Sequence, residues 1–333
     1  MHAVGIDISV FNSQIANCKV QKYDVELIEE KTAKITSLLD SFEKTLNIRP
    51  FEGELLQELA EFNNKFFPSP EFKKAVYQKR IDEKVYAEEK EKQFLPVYRS
   101  LTEKYSINLN VSNDSFIDKW YFETARKEIY YVNSLISLID DEIVRRILQV
   151  ILSRTIRSCR ATTHSDLATL IEPVYTTYYC TKHKKICKPL FSIMKWWNTY
   201  SKDTVTRLRQ FDKIRSDTSQ ICLTGDSSTL NLEKSILSSG GDLADAYRKN
   251  KISGIFCSPP YVGLINYHEQ HAYAYELFGF KRRDELEIGS MSKGNNRIAV
   301  QKYIDDMTGV LLNCKQYLKD DYNIFIVAND KHN

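Results

Sequence analysis

The tetrapeptide Ser258-Pro259-Pro260-Tyr261 has residue types, in an order, that suit chemistry on an amine. It follows a short apolar run, residues 252–257, whose composition predicts a buried strand. Because two successive prolines cannot continue a hydrogen-bonded ladder, they fix a rigid extended loop. The Ser258 hydroxyl and the Pro259 carbonyl could then hold an exocyclic amine, while the Tyr261 ring stacks on a base. The alternative interpretation is a rigid turn with a packed tyrosine.

Two aspartates also end apolar strand patterns. Asp7 follows the pattern that begins at residue 2, and Asp226 follows the pattern that begins at residue 220. In an open α/β sheet, ligands bind beyond the carboxyl ends of the strands. A carboxylate placed there can accept hydrogen bonds from ribose hydroxyls. The alternative is that each aspartate only caps a helix or a turn, with Asp7 at the start of a helix that runs to residue 19.

The elements that would position these residues alternate between strands and helices. A third apolar strand is predicted over residues 323–328, and helical spacing is found over residues 10–19 and 300–318. Such alternation indicates a parallel α/β sheet covered on both faces. The polar stretch between these parts is mostly helical, with one long helix predicted over residues 118–158. We therefore predict an α/β core in residues 1–20 and 219–333, interrupted by a large helical insertion over residues 21–218.

Positive charge is concentrated in part of that insertion. Residues 151–215 contain thirteen Lys and Arg and four acids, a net charge of +9 in a chain whose total is +3. Six aromatic residues alternate with these cations: Tyr175, Tyr178, Tyr179, Trp196, Trp197 and Tyr200. Cations with aromatic neighbours suit a surface that contacts phosphates and reads bases. The alternatives are a solvated basic face, or a core with a basic rim.

Five residues of the same region are candidate metal ligands: Cys159, His164, Cys180, His183 and Cys187. Thiolates and imidazoles bind zinc, but this spacing does not match a common zinc module. The alternative is buried thiols with surface histidines, and no metal is predicted. His268 and His271 are also expected to bind no metal, because only two residues separate them.

Composition limits the classes of protein that fit. With 42% hydrophobic and 27% charged residues, the sequence predicts a folded globular chain rather than a disordered one. No apolar run approaches the ~20 residues that span a bilayer, so no membrane segment is predicted. Seven cysteines, an odd number, and an N-terminus without a secretory signal predict a reducing, cytoplasmic location.

Taken together, the strand-end motifs give the sequence a family resemblance. It resembles the S-adenosylmethionine-dependent DNA methyltransferases that modify an exocyclic amine, cytosine N4 or adenine N6. That family has a (Ser/Asn/Asp)-Pro-Pro-Tyr loop, matched by residues 258–261, and acids that match Asp7 in AVGIDIS and Asp226 in LTGDSS. The match continues through SPPYVGLINYHEQHAYAYELFGF. It covers residues 1–20 and 219–333 well and is looser over residues 21–218.

The resemblance implies an α/β fold with a partial Rossmann-like methyltransferase sheet, in which residues 21–218 form a mostly helical insertion that recognises double-stranded DNA. It implies that Asp7, Ile8 and Asp226 bind S-adenosylmethionine. It further implies a catalytic loop made of Ser258, Pro259, Pro260 and Tyr261. Because serine at the first position is commoner in the cytosine-N4 branch, the expected function is site-specific DNA methylation at cytosine N4, as in restriction-modification.

The sequence departs from the family pattern in two places. The family's donor site needs a Phe-x-Gly-x-Gly loop on the first strand, and the chain contains none. The last sheet strands, expected after Val327, are also missing. By resemblance the chain is an internal piece of the fold, truncated at both ends. A second chain or an upstream segment is expected to supply the glycine-rich strand, and the chain alone is expected to show little or no activity.

Other functions fit parts of this pattern. Adenine N6 could be the target instead of cytosine N4. The chain could be a non-catalytic nucleic-acid-binding fragment of a split or decayed enzyme, which the missing glycine loop favours. It could also methylate RNA or protein amides, against which the initial serine and the basic stretch argue. Covalent cytosine-C5 chemistry is not favoured, because Cys257 sits at a strand end and is expected to pack in the core.

Overall fold

The computed structural model describes residues 1–109, 113–164 and 171–328. The chain divides into two compact units. Unit 1 combines Met1–Tyr23 with Gln210–Asn333, and unit 2 is Asp24–Arg209. Unit 1 therefore contains both strand-end aspartates and the Ser-Pro-Pro-Tyr loop, and unit 2 contains most of the basic stretch.

The described residues form six β-strands and fourteen α-helices, numbered in chain order. The strands are β1 (Ala3–Asp7), β2 (Tyr178–Cys180), β3 (Lys185–Cys187), β4 (Gln220–Thr224), β5 (Ile252–Cys257) and β6 (Leu318–Ile326). The helices are α1 (Val10–Val20), α2 (Val25–Glu43), α3 (Ile48–Phe66), α4 (Glu71–Tyr77), α5 (Glu83–Lys104), α6 (Phe116–Trp120), α7 (Glu123–Ser137), α8 (Glu142–Ser158), α9 (Met194–Ile214), α10 (Leu232–Ser239), α11 (Gly241–Lys249), α12 (Tyr267–Gln270), α13 (Ala272–Phe278) and α14 (Arg297–Lys315).

Unit 1 contains two parallel strand pairs. β1 pairs with β4 in a register that places Asp7 opposite Thr224. β5 pairs with β6, with Cys257 opposite Ile326. The sequence predicts one sheet with all the functional strand ends side by side. That prediction is wrong for the described residues, because backbone hydrogen bonds join β1 only to β4 and β5 only to β6, which leaves two separate two-stranded sheets.

One apolar cluster serves both strand pairs of unit 1. Leu232, Ile236 and Leu243, from α10 and α11, are buried at its centre. Residues of β1, β4 and β5 pack against them: Val4, Ile6, Ile221, Leu223 and Ile252. Each fully buried aliphatic side chain contributes roughly 1.5–3 kcal/mol. The shared cluster therefore links the two sheets, although no ladder hydrogen bond joins them within the described residues.

The backbones of β5 and β6 approach closely at Gly254. A Cβ added at this position would lie inside contact distance of the Asn323 carbonyl oxygen, so the site accepts only glycine without a shift of the strands. The strand register also shifts between Ile252 and Gly254. Gly254 thus sets the alignment that ends β5 at Cys257, directly before the Ser-Pro-Pro-Tyr loop.

Unit 2 is mainly helical. The single long helix predicted over residues 118–158 is wrong, because the structure has α6, α7 and α8 in this region. Ser115 caps α6, since its hydroxyl accepts the Asp118 N–H at 3.0 Å. Asp141 caps α8, since its carboxylate accepts two N–H groups of the first turn at 2.8 and 3.0 Å. Such caps start a new helix where hydrophobic spacing alone shows no break.

Unit 2 also contains the antiparallel hairpin of β2 and β3, in which Tyr178 lies opposite Cys187. The Asn63 side chain of α3 clamps this hairpin. Its amide nitrogen donates to the Ile186 carbonyl and its oxygen accepts the Ile186 N–H, each at 2.9 Å. The core beneath is made of fully or nearly fully buried residues of α3 and α5: Ile48, Phe51, Leu55, Phe94 and Tyr98. Within the described parts of the chain, no helix combines the length and apolar character that a membrane crossing requires.

Candidate active site

Asp7 ends β1 and is partly buried, as is the adjacent Ile8. One Asp7 carboxylate oxygen, Oδ1, accepts the Ser9 N–H at 2.8 Å. The N-cap of α1 is Ser9, because its hydroxyl accepts the Asn12 N–H at 3.1 Å. The alternative interpretation of Asp7 as the cap of this helix is therefore wrong.

The environment of Asp7 changes its ionisation. Burial raises the pKa of the Asp7 carboxyl, while the hydrogen bond from the Ser9 backbone opposes that rise. A carboxylate in partly desolvated surroundings makes stronger hydrogen bonds than one in bulk water. Asp7 is thus suited to accept hydrogen bonds from neutral hydroxyl groups of a ligand.

Asp226 lies in a tight turn after β4. Its Oδ1 accepts both the N–H and the hydroxyl of Ser228, at 2.8 and 2.7 Å. The Gly225 N–H donates to the Asp7 carbonyl at 3.0 Å, which continues the β1–β4 pairing into this turn. Asn313 of α14 donates to two carbonyls of the same turn, both at 3.0 Å. Asp226 thus stabilises its own turn, and the turn lies at the carboxyl end of β4, next to that of β1.

The Ser-Pro-Pro-Tyr loop begins where β5 ends. Ser258 is exposed, Pro259 is buried and Tyr261 is half-buried. Gly263 adopts φ +70°, a left-handed conformation that glycine tolerates best, and its N–H donates to the Gly289 carbonyl at 3.0 Å. The proline is therefore part of the packed base of the loop, while the serine hydroxyl and part of the tyrosine ring are accessible to a ligand.

A buried carboxylate holds the segment after this loop. Glu287 accepts the backbone N–H groups of Tyr267 and His268, at 3.2 and 2.7 Å, and its Oε1 also contacts Nδ1 of His268. The His268 side chain is fully buried and that of Glu287 is 4% exposed. Sequence reasoning missed Glu287, because nineteen positions separate it from His268 and no local motif connects them.

Asp7 and the Ser-Pro-Pro-Tyr loop both lie near Tyr267, the first residue of α12. Burial raises the pKa of Tyr267, and the nearby Asp7, Glu287 and Tyr261 raise it further. The hydroxyls of Ser9 and Tyr275 are 2.6 Å apart, which ties the start of α1 to α13. The end of β1 and the loop after β5 therefore lie in one region of unit 1, despite the separate sheets.

Cys257 is a free thiol at the end of β5. Burial raises its pKa. A raised pKa lowers the fraction of thiolate, which is the nucleophilic form of cysteine. Cys257 is therefore not an activated nucleophile.

In unit 2, much of the basic stretch is paired with acids. The pairs are Arg154 and Arg207 with Asp203, Lys184 with Glu83, Lys188 with Glu52, and Arg209 with Glu26 and Glu29. The charge of +9 counted along the sequence therefore overstates the charge available to a polyanion. Three of these acids lie outside residues 151–215 on α2 and α3 and a fourth on α5, so a count along one stretch could not include them.

Lys182 and Lys185 lie at the β2–β3 turn and are exposed. Neither forms an ion pair with a residue that the structure describes. They border a surface pocket that is also lined by Lys73, Phe67 and Phe72. The lysines that surround these phenylalanines form a positively charged rim that can contact phosphates.

Of the six aromatic residues of the basic stretch, Tyr175 and Tyr179 pack against the core, and the other four divide into two sets. Trp197 is fully buried and Tyr178 is 6% exposed, so the core interpretation is correct for these two. Trp196 stacks on Tyr200 with ring centroids 5.5 Å apart, and the Arg154 guanidinium lies 4.4 Å from the centre of the Tyr200 ring. Of these four aromatic residues, only the second set remains available for contact with a ligand.

Four of the five candidate metal ligands lie together in unit 2. His164, Cys180, His183 and Cys187 form one group, each offering a nitrogen or sulfur atom. Cys159 is fully buried and is not part of this group. In unit 1, His268 also lies in a second group, with Asp284 and Glu287.

Comparison with known proteins identifies one relative. Over its whole length, in an alignment of 338 residues, the chain is 42% identical to the type II methyltransferase M.MjaII of Methanocaldococcus jannaschii. The chain spans 63% of the length of that protein. No family model and no solved structure matches the chain. The chain is thus related to the type II methyltransferases, which confirms the predicted resemblance to DNA methyltransferases and leaves the choice between cytosine N4 and adenine N6 open.

Proposed function

We propose that this relative of the type II methyltransferases is part of an enzyme that methylates DNA. The enzyme transfers a methyl group from S-adenosylmethionine to an exocyclic amine, N4 of cytosine. The observation that carries the proposal is the accessible Ser-Pro-Pro-Tyr loop. Its Tyr261 lies near Tyr267, and so does the strand-end residue Asp7. In this proposal residues 1–20 and 219–333 are the α/β catalytic core. Residues 21–218 are the helical insertion that recognises double-stranded DNA.

The ends of β1 and β4 fit the polar half of S-adenosylmethionine. Asp7 and the Asp226 turn lie at adjacent carboxyl ends, where ribose hydroxyls and an adenine amine need acceptors. In the proposed site Asp7 and Ile8 hold the ribose, and Asp226 lies at the adenine. S-adenosylmethionine, the donor of type II DNA methyltransferases, supplies an electrophilic methyl group when it is bound.

The loop after β5 would hold the acceptor. The target base leaves the duplex, because its amine is unreachable inside the stack. The Ser258 hydroxyl and the Pro259 carbonyl accept hydrogen bonds from the amine, and the Tyr261 ring stacks on the base. This arrangement accelerates the reaction by fixing the orientation of the amine and by stabilising the positive charge that develops on nitrogen. Pro260 keeps the loop extended, and the enzyme needs no thiolate.

A second candidate function is binding of nucleic acid without catalysis by this chain alone. One observation favours the lack of catalysis by this chain alone: the β5–β6 pair of the proposed core carries uncovered apolar side chains, with Phe256 78% and Phe325 62% exposed. Each strand of both parallel pairs also has one edge that pairs with no described strand. We propose that a further segment or a second chain, bearing the glycine-rich strand, completes the donor site.

The test uses a completed protein, with the glycine-rich strand supplied by fusion or by a partner chain. We expect transfer of labelled methyl groups from S-adenosylmethionine to duplex DNA, and analysis of the nucleosides identifies the modified base. Tyr261→Ala should abolish most transfer and retain donor binding, because base–aromatic stacking contributes ~1–3 kcal/mol and is needed only for the flipped base. Ser258→Ala should cost less, if the Pro259 carbonyl still holds the amine.

Cys257→Ser is the matched control, because it changes the residue next to the loop without removing a proposed contact. It should remain active. A folded Cys257→Ser protein that binds donor and DNA yet transfers no methyl group would contradict direct transfer and support a covalent route. A completed protein that binds DNA with no transfer at all would support the non-catalytic candidate.

A further inference from the structure

Four side chains of unit 2 converge on one small volume. His164, Cys180, His183 and Cys187 each offer one ligand atom, and these atoms all lie within 4.8 Å of one another. His164 comes from the segment after α8, and the other three come from the β2–β3 hairpin and its turn. The two cysteines are buried and the two histidines are exposed. The cluster therefore joins two parts of the chain that no sequence motif connects.

The distances within this cluster match the edges of a tetrahedron around a metal ion. Nδ1 of His183 lies 3.4 Å from Sγ of Cys180 and 3.6 Å from Sγ of Cys187. Nδ1 of His164 lies 3.7 Å from Sγ of Cys180. Zinc binds sulfur at about 2.3 Å and nitrogen at about 2.0–2.1 Å, which places tetrahedral sulfur and nitrogen ligands about 3.6 Å apart. The ligand atoms thus already have the spacing that zinc requires.

The surrounding structure fixes the ligands. Cys180 ends β2 and Cys187 ends β3, so the hairpin ladder holds both sulfurs. Asn63 of α3 anchors that ladder through its two hydrogen bonds to the residue before Cys187. The Tyr178 hydroxyl lies 2.7 Å from Nδ1 of His164, the nitrogen that faces Cys180, so zinc bound at that atom would replace this hydrogen bond.

We propose that His164, Cys180, His183 and Cys187 bind one structural zinc ion. Two thiolates and two imidazoles are a donor set that zinc prefers, and four protein ligands leave no position for a substrate. The ion would pin the hairpin, with its exposed Lys182 and Lys185, to the segment after α8. The proposal concerns only these ligands, and it stands whether or not the chain methylates DNA.

The first test measures metal content in the full chain, purified without chelators and with a reductant that contains no thiol. We expect about one zinc ion per chain, and we expect its removal by a chelator to lower the melting temperature. Cys187→Ser and His183→Ala should both lose the zinc. Cys159→Ala is the matched control, because it removes another buried cysteine from outside the cluster, and it should retain the zinc.

A second measurement covers the case in which the ligand variants do not fold. Cobalt added to the metal-free wild-type chain should give tetrahedral absorption bands and a sulfur-to-cobalt band of the intensity expected for two thiolates. His183→Cys should keep the metal and raise the intensity of that band by about half, as a third thiolate replaces an imidazole. A wild-type chain that contains no zinc and takes up no cobalt would overturn the proposal. A folded Cys159→Ala chain that loses the metal would overturn it as well.

Discussion

Ionisation of the Asp7 carboxyl group lowers the free energy of unfolding. Because burial raises its pKa, the folded chain holds this proton more tightly than the unfolded chain does. The free energy of unfolding therefore falls as the pH rises from the unfolded pKa through the higher folded pKa. Because this charge lowers stability at neutral pH, stability does not explain why an aspartate stands here. Binding of a ligand at the end of β1 would explain it.

We expect Asp7→Asn to maintain or raise the melting temperature at neutral pH, because asparagine keeps an acceptor for the Ser9 N–H and removes a desolvated charge. Donor binding by the completed protein should weaken roughly 10-fold or more, since a hydrogen bond to a charged group contributes about 1.5–3 kcal/mol. In the wild type, donor affinity should decrease as the pH falls through the raised pKa of Asp7. Titration calorimetry at several pH values measures this, and the variant should lack that dependence.

Asp217→Asn, at an exposed position of unit 1, is the control for loss of one negative charge. It should change neither stability nor donor affinity. If Asp7→Asn lowers the melting temperature and leaves donor affinity intact, Asp7 has a structural role only.

In unit 2, Glu128 is a second buried carboxyl group. Its Oε2 accepts the Ile193 N–H at 2.7 Å, just before α9, and Oε1 has no hydrogen-bond partner among the described residues. Burial raises the pKa of Glu128 to about 8, so the group is mostly protonated at neutral pH. The folded state gains a proton that the unfolded state lacks, and stability should fall as the pH rises from 4.5, the ordinary value, through about 8.

Glu128→Gln should remove most of this pH dependence, because glutamine keeps an acceptor for the Ile193 N–H and cannot ionise. Urea unfolding of the full chain, followed by a probe in unit 2 at about pH 5 and about pH 9, measures the effect. Glu103→Gln, at an exposed position of α5, should leave the wild-type dependence unchanged. A Glu128→Gln chain that still loses the same stability at high pH would assign the effect to another group.

At the scale of elements, features that depend on residues close in sequence could be predicted, and features that depend on tertiary contacts could not. The position of the strand before the Ser-Pro-Pro-Tyr loop could be predicted, because a run of apolar residues and two prolines act locally. Its predicted burial is wrong at Phe256, which is 78% exposed. The ends of the helices in unit 2 could not be predicted, since the helical spacing of apolar residues continues across the break that the Asp141 cap introduces before α8. The Glu287–His268 pair and the grouping of His164 with the hairpin depend on tertiary contacts. The Glu287–His268 pair has no signal in the sequence. The residue types did mark all four members of the cluster as candidate ligands, but not that they group together without Cys159.

The β2–β3 hairpin carries a prediction about DNA. Lys182→Glu with Lys185→Glu should weaken DNA binding and make it less dependent on salt. The slope of log K against log salt should become shallower by about 0.9 for each DNA phosphate that the variant no longer neutralises. Lys184 is left unchanged because it pairs with Glu83 at 2.5 Å. Fluorescence anisotropy of a labelled duplex at several salt concentrations measures both quantities.

Lys44→Glu with Lys127→Glu is the charge-matched control, because both residues pair with acids one helical turn away. It should change the salt slope less than the hairpin variant does. If both double variants lower affinity and slope equally, the hairpin is not a specific DNA contact and only the total charge matters.

At the scale of the whole molecule, the two units differ in how well they bury apolar side chains. In unit 2 the residues Phe51, Leu55 and Tyr98 are fully buried. In unit 1 large apolar residues of β5, β6 and α14 are more than half exposed: Phe256, Ile298, Leu312 and Phe325. Isolated exposed apolar residues are common, but a concentration on one strand pair and α14 is where the further segment of the proposed enzyme would pack.

The last prediction concerns that surface. The chain spans 63% of the length of M.MjaII, so the remaining part of that relative is a testable source of the proposed further segment. Added as a separate chain, it should increase the protection of β5, β6 and α14 against hydrogen exchange, because covered strands open less often. The helices α3 and α5 of unit 2 are the internal control and should exchange as before. Donor binding and methyl transfer should appear only in the mixture, since the 333-residue chain has no glycine-rich loop of its own. If the 333-residue chain alone binds S-adenosylmethionine and methylates DNA at the rate of the mixture, the exposed surface serves another purpose and the donor site is complete without it.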